Sequence, residues 1–203
     1  MSNIESSAFH KLSYGLFVLS AREGERDNGC IINTAIQVTG DPKRIAIAVI
    51  KANFTHDMIM RTGVFNVSIL SQNAPFELFR QYGFQSGRDV NKMNGDEPRS
   101  ENGLVYIPRY ANAFISAKVI KSEDYGSHTL FVAEVTEAKT LSAEPSVTYD
   151  YYQANIKPKS QPKEEKKTGW VCKVCGYVYE GEELPEDFVC PLCKHGAEDF
   201  ERL

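Results

Sequence analysis

The chain has 203 residues, enough for one good-sized core and a small satellite, and its 42% hydrophobic and 25% charged side chains suit a folded globule. The net charge of −4 argues against nucleic acid as the main partner. The opening MSNIESSAFHK lacks a basic segment followed by an apolar one, and no apolar run approaches the ~20 residues of a membrane span; no export signal and no membrane anchor are expected, and the expected location is cytoplasmic.

In chain order, GLFVLSA (15–21), RIAIAVIK (44–51), VFNVSIL (64–70), AFISAKVI (113–120) and TLFVAEVTEAKTL (129–141) are rich in Val, Ile and Phe with partial alternation, and read as strands. A short helix is expected from about Thr55 to Arg61, with Thr55 as N-cap and Gly63 as stop. A second is expected from about Asn73 to Tyr82, with Pro75 in its first turn and Gly83 after it. SEDYGS (122–127) reads as the turn of a long hairpin. Many strands with few short helices point to a closed, mainly β barrel.

The composition then changes. ANIKPKSQPKEEKKTG (154–169) is rich in Lys, carries Pro158 and Pro162, and has almost no apolar side chains, so it reads as a linker. The expected division is a first domain at 1–153, a flexible linker at 154–167 and a second domain at 168–203. The last of these carries three basic against eight acidic side chains, while residues 153–167 carry five Lys against two Glu. An acidic module of this kind can be steered towards a positive docking face, although a solvated surface has the same composition.

The five cysteines include two C-x-x-C pairs, Cys172/Cys175 and Cys190/Cys193. Each pair sets two sulfurs on a tight knuckle, and two facing knuckles complete a tetrahedron around one metal. Gly176 lets the backbone turn so that amides point at the sulfurs, which tunes the metal. Zinc ribbons share this spacing. What distinguishes the segment is its aromatic set, Trp170, Tyr177, Tyr179, Phe188 and Phe200. The pattern W-x-C-x-x-C-G-Y-x-Y … L-P-E-D-F-x-C-P-x-C … F closely resembles rubredoxin over essentially the whole tail, in the compact version found fused to other redox proteins. The resemblance implies one iron cycling between Fe(II) and Fe(III). Lys194-His195-Gly196 stands where many rubredoxins have Gly after the last ligand, a departure that bears on the sulfur hydrogen bonding. With four Cys filling the tetrahedron, His195 is expected at the surface.

In the first domain no G-x-G-x-x-G and no G-x-x-x-x-G-K-[ST] occurs, which leaves Rossmann and P-loop nucleotide sites unsupported. Cys30 stands alone and reads as a small buried hydrophobe. NGCIINTAIQVT (28–39) and VIKANFTHD (49–57) offer hydroxyls, amides and one Lys in two loops flanking a strand, which suits a phosphate and a polar ring edge; ordinary strand ends read the same way. NG-x-x-x-NTA-x-Q-V, then K-x-N-x-T, F-N-V-S-I-L-S and G-x-H-T-L-F-V-A-E-V, is similar to the flavin reductase family with its FMN-binding split barrel, over about residues 9–152. That resemblance implies a homodimer with FMN near the subunit interface. Carried over, Asn33, Thr34, Ala35, Gln37 and Val38 would line the ring and ribityl chain. Lys51, Asn53 and Thr55 would meet the phosphate, Thr55 at a helix N-terminus. His128 would sit near the flavin or nicotinamide as the catalytic candidate. His56 reads equally as a cap residue, and Arg88 and Lys92 are weaker candidates for the phosphate.

The two parts together resemble the high-molecular-weight rubredoxins. The resemblance implies an oxidoreductase in electron transport: NAD(P)H gives two electrons at once, the iron takes one at a time, and FMN converts between them before a flavodiiron reductase of nitric oxide or oxygen accepts them. Direct oxidation of NAD(P)H and supply by a separate reductase both remain open. The alternatives are a flavin reductase that releases reduced flavin, and a zinc-braced redox sensor or interaction module.

Overall fold

The computed structural model describes residues 4–158 and 169–203. Seven antiparallel strands make the main sheet: β1 Phe17–Glu23, β2 Arg26–Ile32, β3 Ala35–Gly40, β4 Lys43–Ile50, β5 Val64–Leu70, β6 Ala111–Asp124 and β7 His128–Thr140, in spatial order β2-β1-β5-β6-β7-β4-β3. The strands β2 and β3 lie at opposite edges of this sheet, yet only Asn33 and Thr34 separate them. Three peptide steps reach at most about 10 Å, so the two edges must meet there and the sheet must curl shut. Thr34 fastens the junction: its carbonyl accepts from the Ala48 amide at 3.3 Å, and its hydroxyl donates to the Ala48 carbonyl at 2.9 Å. The expected barrel is therefore present, closed at one end by a two-residue link.

Alternation puts Leu19 and Ala21 of β1, Ile45, Ile47 and Val49 of β4, Phe65 and Val67 of β5, and Phe131 and Ala133 of β7 in one interior cluster. Met58 and Ile59 of helix α1 (Phe54–Thr62) plug it. Strand β1 is buried on both faces because Leu16 and Val18 join a second cluster outside the barrel, against Leu78, Phe79 and Tyr82 of helix α2 (Phe76–Gly83) and Tyr152. This layer explains why GLFVLSA reads as a continuous apolar run rather than a clean alternation. The hairpin of β6 and β7 turns at residues 125–127, where Gly126 adopts φ 78° and its amide is held by Asp124 at 2.7 Å. The strand thus extends further into SEDYGS than its polarity suggests.

Two local details depart from the sequence reading. Segment 28–39 is mostly strand rather than loop; Asn28 and Gly29 in β2 and Gln37 and Gly40 in β3 interrupt the branched residues and hide the strand pattern. The N-cap of α1 is Asn53, not Thr55: the Asn53 Oδ1 accepts from the Thr55 amide at 3.1 Å. Gly63, in the left-handed region at φ 69°, ends α1 as expected.

After β7, α3 (Tyr149–Tyr151) continues as a wider helical turn through Tyr152–Ile156, so the first residues assigned to a linker at 154 still belong to a helix. The remainder of the 154–167 linker beyond residue 158 lies outside the described residues. The tail forms a small sheet in the order β10-β8-β9, from β8 Trp170–Cys172, β9 Val178–Tyr179 and β10 Phe200–Arg202. Phe188 is its hub, stacked near Tyr177 at 6.5 Å, tilted against Tyr179 at 4.7 Å and edge-on to Phe200 at 5.3 Å.

Replacing Asn53 by Ala removes the α1 cap, with an expected loss of about 1 kcal/mol. Chemical denaturation followed by circular dichroism measures it, and an unchanged midpoint would deny Asn53 the capping role.

Candidate functional site

The four tail cysteines converge as their spacing requires. Their Sγ atoms all lie within 4.8 Å of one another, with Cys172···Cys193 at 3.6 Å and Cys175···Cys190 at 3.5 Å. Sulfurs about 2.3 Å from one metal at tetrahedral corners stand about 3.8 Å apart, so the set fits one ion and not two disulfides. The two knuckles are built alike. The Gly176 amide donates to the Cys172 carbonyl at 2.8 Å, and the Lys194 amide to the Cys190 carbonyl at 2.9 Å. The Cys172 amide donates to the Tyr177 carbonyl and the Cys190 amide to the His195 carbonyl, each at 2.8 Å. Gly176 and Lys194 hold matching left-handed conformations, φ 79° and 63°. Lys194 therefore preserves the turn that glycine makes in the first knuckle, and the departure at Lys194-His195 leaves the backbone frame intact.

The electrostatics of the four thiols suit a bound cation. Amides of Val174 and Cys175 point at the Cys172 sulfur, that of Tyr177 at Cys175 and that of His195 at Cys193. Without a metal the thiols compete for charge: a hydrogen bond from Cys193 holds Cys175 down at about 5, that same bond forces Cys193 to keep its proton, and burial pushes Cys172 up to about 11. A bound cation removes the conflict by letting all four ionise.

The second feature is a cavity of about 340 Å³ at the barrel closure, within the range of small-molecule sites. Asn33 and Thr34 from the link, Ala48 and Ile50 of β4, Asn53 before α1, and His128 at the start of β7 wall one side. Tyr149 and Tyr152 of the last helical segment wall another, and Val174, Cys193 and His195 of the tail complete it. Partial burial lowers the His128 pKa below its ordinary value, and the nearby His195 adds to this; both favour the neutral imidazole.

Of the residues expected to hold a flavin, Asn33, Thr34, Asn53 and His128 line this cavity; Ala35, Gln37, Val38, Lys51 and Thr55 do not. Ala35 packs on the barrel core. Gln37 and Val38 are exposed on the edge strand β3. Lys51 is paired with Asp124 at 2.6 Å. Thr55 is wholly buried, its hydroxyl accepting from Asn28 Nδ2 at 2.8 Å and its amide donating to Asn53, so burial rather than a spent hydroxyl keeps it from a phosphate within this chain. His56 is buried between Asp57, at 3.1 Å, and the Thr129 hydroxyl, at 2.8 Å. Arg88 pairs with Asp57 at 2.6 Å, and buried Lys92 donates to the carbonyls of Gly29 and Tyr82, each at 3.1 Å. His195, expected at the surface, instead lines the cavity and is half-buried. Tyr149 and Tyr152 went unseen because YDYYQ carries no motif, only an aromatic density that a core also explains.

The flavin reductase like domain family matches residues 9–159, and the rubrerythrin, rubredoxin-like domain family matches residues 170–201. A high molecular weight rubredoxin from Moorella thermoacetica is 34% identical over 98% of this chain and 100% of its own. The chain belongs to the high-molecular-weight rubredoxins. Its barrel part is also 35% identical to a ferric-chelate reductase (NAD(P)H) from Archaeoglobus fulgidus, over 77% of this chain and 94% of that protein. In fold, an FMN-binding protein from Thermus thermophilus superposes with a TM-score of 0.62 at 21% identity, covering 69% of this chain and 79% of the other. The split barrel and the rubredoxin-like iron site are thus joined in one flavin-linked electron-transfer protein. The cavity's mix of apolar walls, amide, hydroxyl and imidazole suits a flavin ring, and the four thiols suit one iron.

Gly176→Ala places a Cβ in the left-handed region, at an expected cost of about 1–2 kcal/mol to the metal-bound tail. Iron release to a chelator reads this out; equal release from both proteins would mean the knuckle tolerates the strain.

Proposed function

We propose that this protein oxidises NAD(P)H at the barrel cavity and passes the electrons singly through the four-cysteine iron to a downstream redox protein. The observation that carries this reading is that one cavity is lined by Asn33, Thr34 and His128 of the barrel and by Cys193 of the iron site. Bound in this cavity, FMN would take a hydride as an electron pair and give up electrons one at a time. The Asn33 amide and Thr34 hydroxyl would meet the polar edge of the ring, and Ala48 and Ile50 its apolar face. A neutral His128 at the rim would orient the nicotinamide by hydrogen bonding without repelling its developing positive charge.

Lys51 would meet the flavin phosphate by exchanging Asp124 for it, as an exposed ion pair is weakly held. The edge strand β3, with Ile36 66% and Val38 49% exposed, offers an apolar surface that a second copy would cover, bringing Gln37 and Val38 to the partner's flavin in a homodimer. A flavodiiron protein is the proposed acceptor, and the acidic tail, with three basic against eight acidic side chains, would guide that docking.

Anaerobic rapid mixing with NADH and NADPH tests the reading. The flavin band is expected to bleach first and the ferric-thiolate band second. Bleaching by dithionite but by neither nicotinamide would assign hydride uptake to a separate reductase. His128→Ala is expected to raise the KM for the nicotinamide by about ten-fold, the worth of one lost hydrogen bond, with flavin retained. An unchanged KM would remove His128 from the site.

A further inference from the structure

The second knuckle of the iron site is seated on the barrel itself. Cys193 and His195 line the main cavity, and Leu192, Cys193 and Lys194 line a smaller one of about 70 Å³ beside it, against Ile31, Ile50, Asn53 and Gly83. The first knuckle is tied to the same place by Lys157, whose Nζ donates to the Val174 carbonyl at 3.1 Å. Lys157 is itself positioned by its amide, which donates to the Tyr152 carbonyl at 2.8 Å in the wall of the cavity. The iron site is therefore clasped over the opening, with Cys193 as its inward-facing ligand.

This arrangement favours electron exit and obstructs hydride entry. A nicotinamide must lie face to face with a flavin ring, and one side of the cavity is already covered by Val174, Cys193 and His195 of the tail. We propose that the Cys193–His195 knuckle and the nicotinamide occupy the flavin cavity in turn, with Lys157 as the clasp that sets how long the knuckle stays. The inference rests on the relay proposed above. With the knuckle away, one NAD(P)H becomes NAD(P)+, giving up two electrons and a proton. With it seated, the electrons leave one at a time, each reducing one ferric centre to ferrous, and the proton goes to solvent. One iron accepts both in succession, its first electron passing to the acceptor protein before the second arrives.

The test uses the full chain loaded with flavin and iron, comparing the native protein with Lys157→Glu and Lys157→Arg. Opening the clasp should move two rates in opposite directions. In Lys157→Glu, flavin bleaching by NADH is expected to speed up several-fold, while flavin-to-iron transfer after flash photoreduction slows by about ten-fold as the tethered geometry is lost. Lys157→Arg should retain the native pattern. A merely misfolded protein slows both steps, so hydroxyl-radical footprinting on the native protein supplies a second readout: saturating NAD+ is expected to raise the labelling of Leu192 and His195, which line the two cavities. Two rates in Lys157→Glu that stay the same, or unaltered labelling of Leu192 and His195 under saturating NAD+, would overturn the alternation while leaving the relay standing. A native protein whose flavin is bleached by neither nicotinamide would overturn the relay's first step and the alternation with it.

Discussion

The link between Ile32 and Ala35 is the constraint on which the rest of the molecule depends. Two residues must carry the chain from one edge of the sheet to the other, and only a closed barrel brings those edges together. The closure bends the backbone away from regular pairing at Asn33 and Thr34, and so opens a cavity lined by their polar groups. Thr34 secures the bend with two hydrogen bonds to Ala48. Fold and cavity thus share one origin: the residues that close the barrel are the ones that line the cavity.

In the tail the corresponding constraint is charge. A module of about 35 residues buries too little apolar surface to hold itself, and its aromatic cluster around Phe188 surrounds thiols that cannot all ionise alone. A metal resolves the conflict and fastens both knuckles at once. The twin turns at Gly176 and Lys194 show how the backbone meets that demand with two different residues. An L-residue in the left-handed region costs something, and at Lys194 it places a long basic side chain against the smaller cavity beside the barrel.

The sequence announced these features unevenly. The cysteine frame was fully legible, because metal ligation demands fixed spacing. The strands of the barrel core were legible from their branched side chains, and Gly63 from its role as helix stop. The strands β2 and β3 were not, since Asp27, Asn28 and Gly29 in one and Gln37 in the other interrupt the branched side chains that mark a strand. Thr55 illustrates a further limit: its place before an apolar helix reads as a cap or anion site, and only the fold shows that Asn53 caps the helix and that Thr55 is wholly buried beside Asn28. His195 illustrates another, since whether a side chain beside a metal faces solvent or a neighbouring domain is fixed by long-range contacts that no local pattern encodes.

In the proposed relay, flavin and iron form one circuit fed by nicotinamide. Anaerobic titration with NADH, counting reducing equivalents per chain, tests it most directly when iron-loaded and zinc-loaded proteins are compared. The iron-loaded protein is expected to take up one electron more per chain than the zinc-loaded protein, with the ferric band lost in proportion. Equal uptake by the two, with the ferric band intact after the flavin is fully bleached, would contradict it.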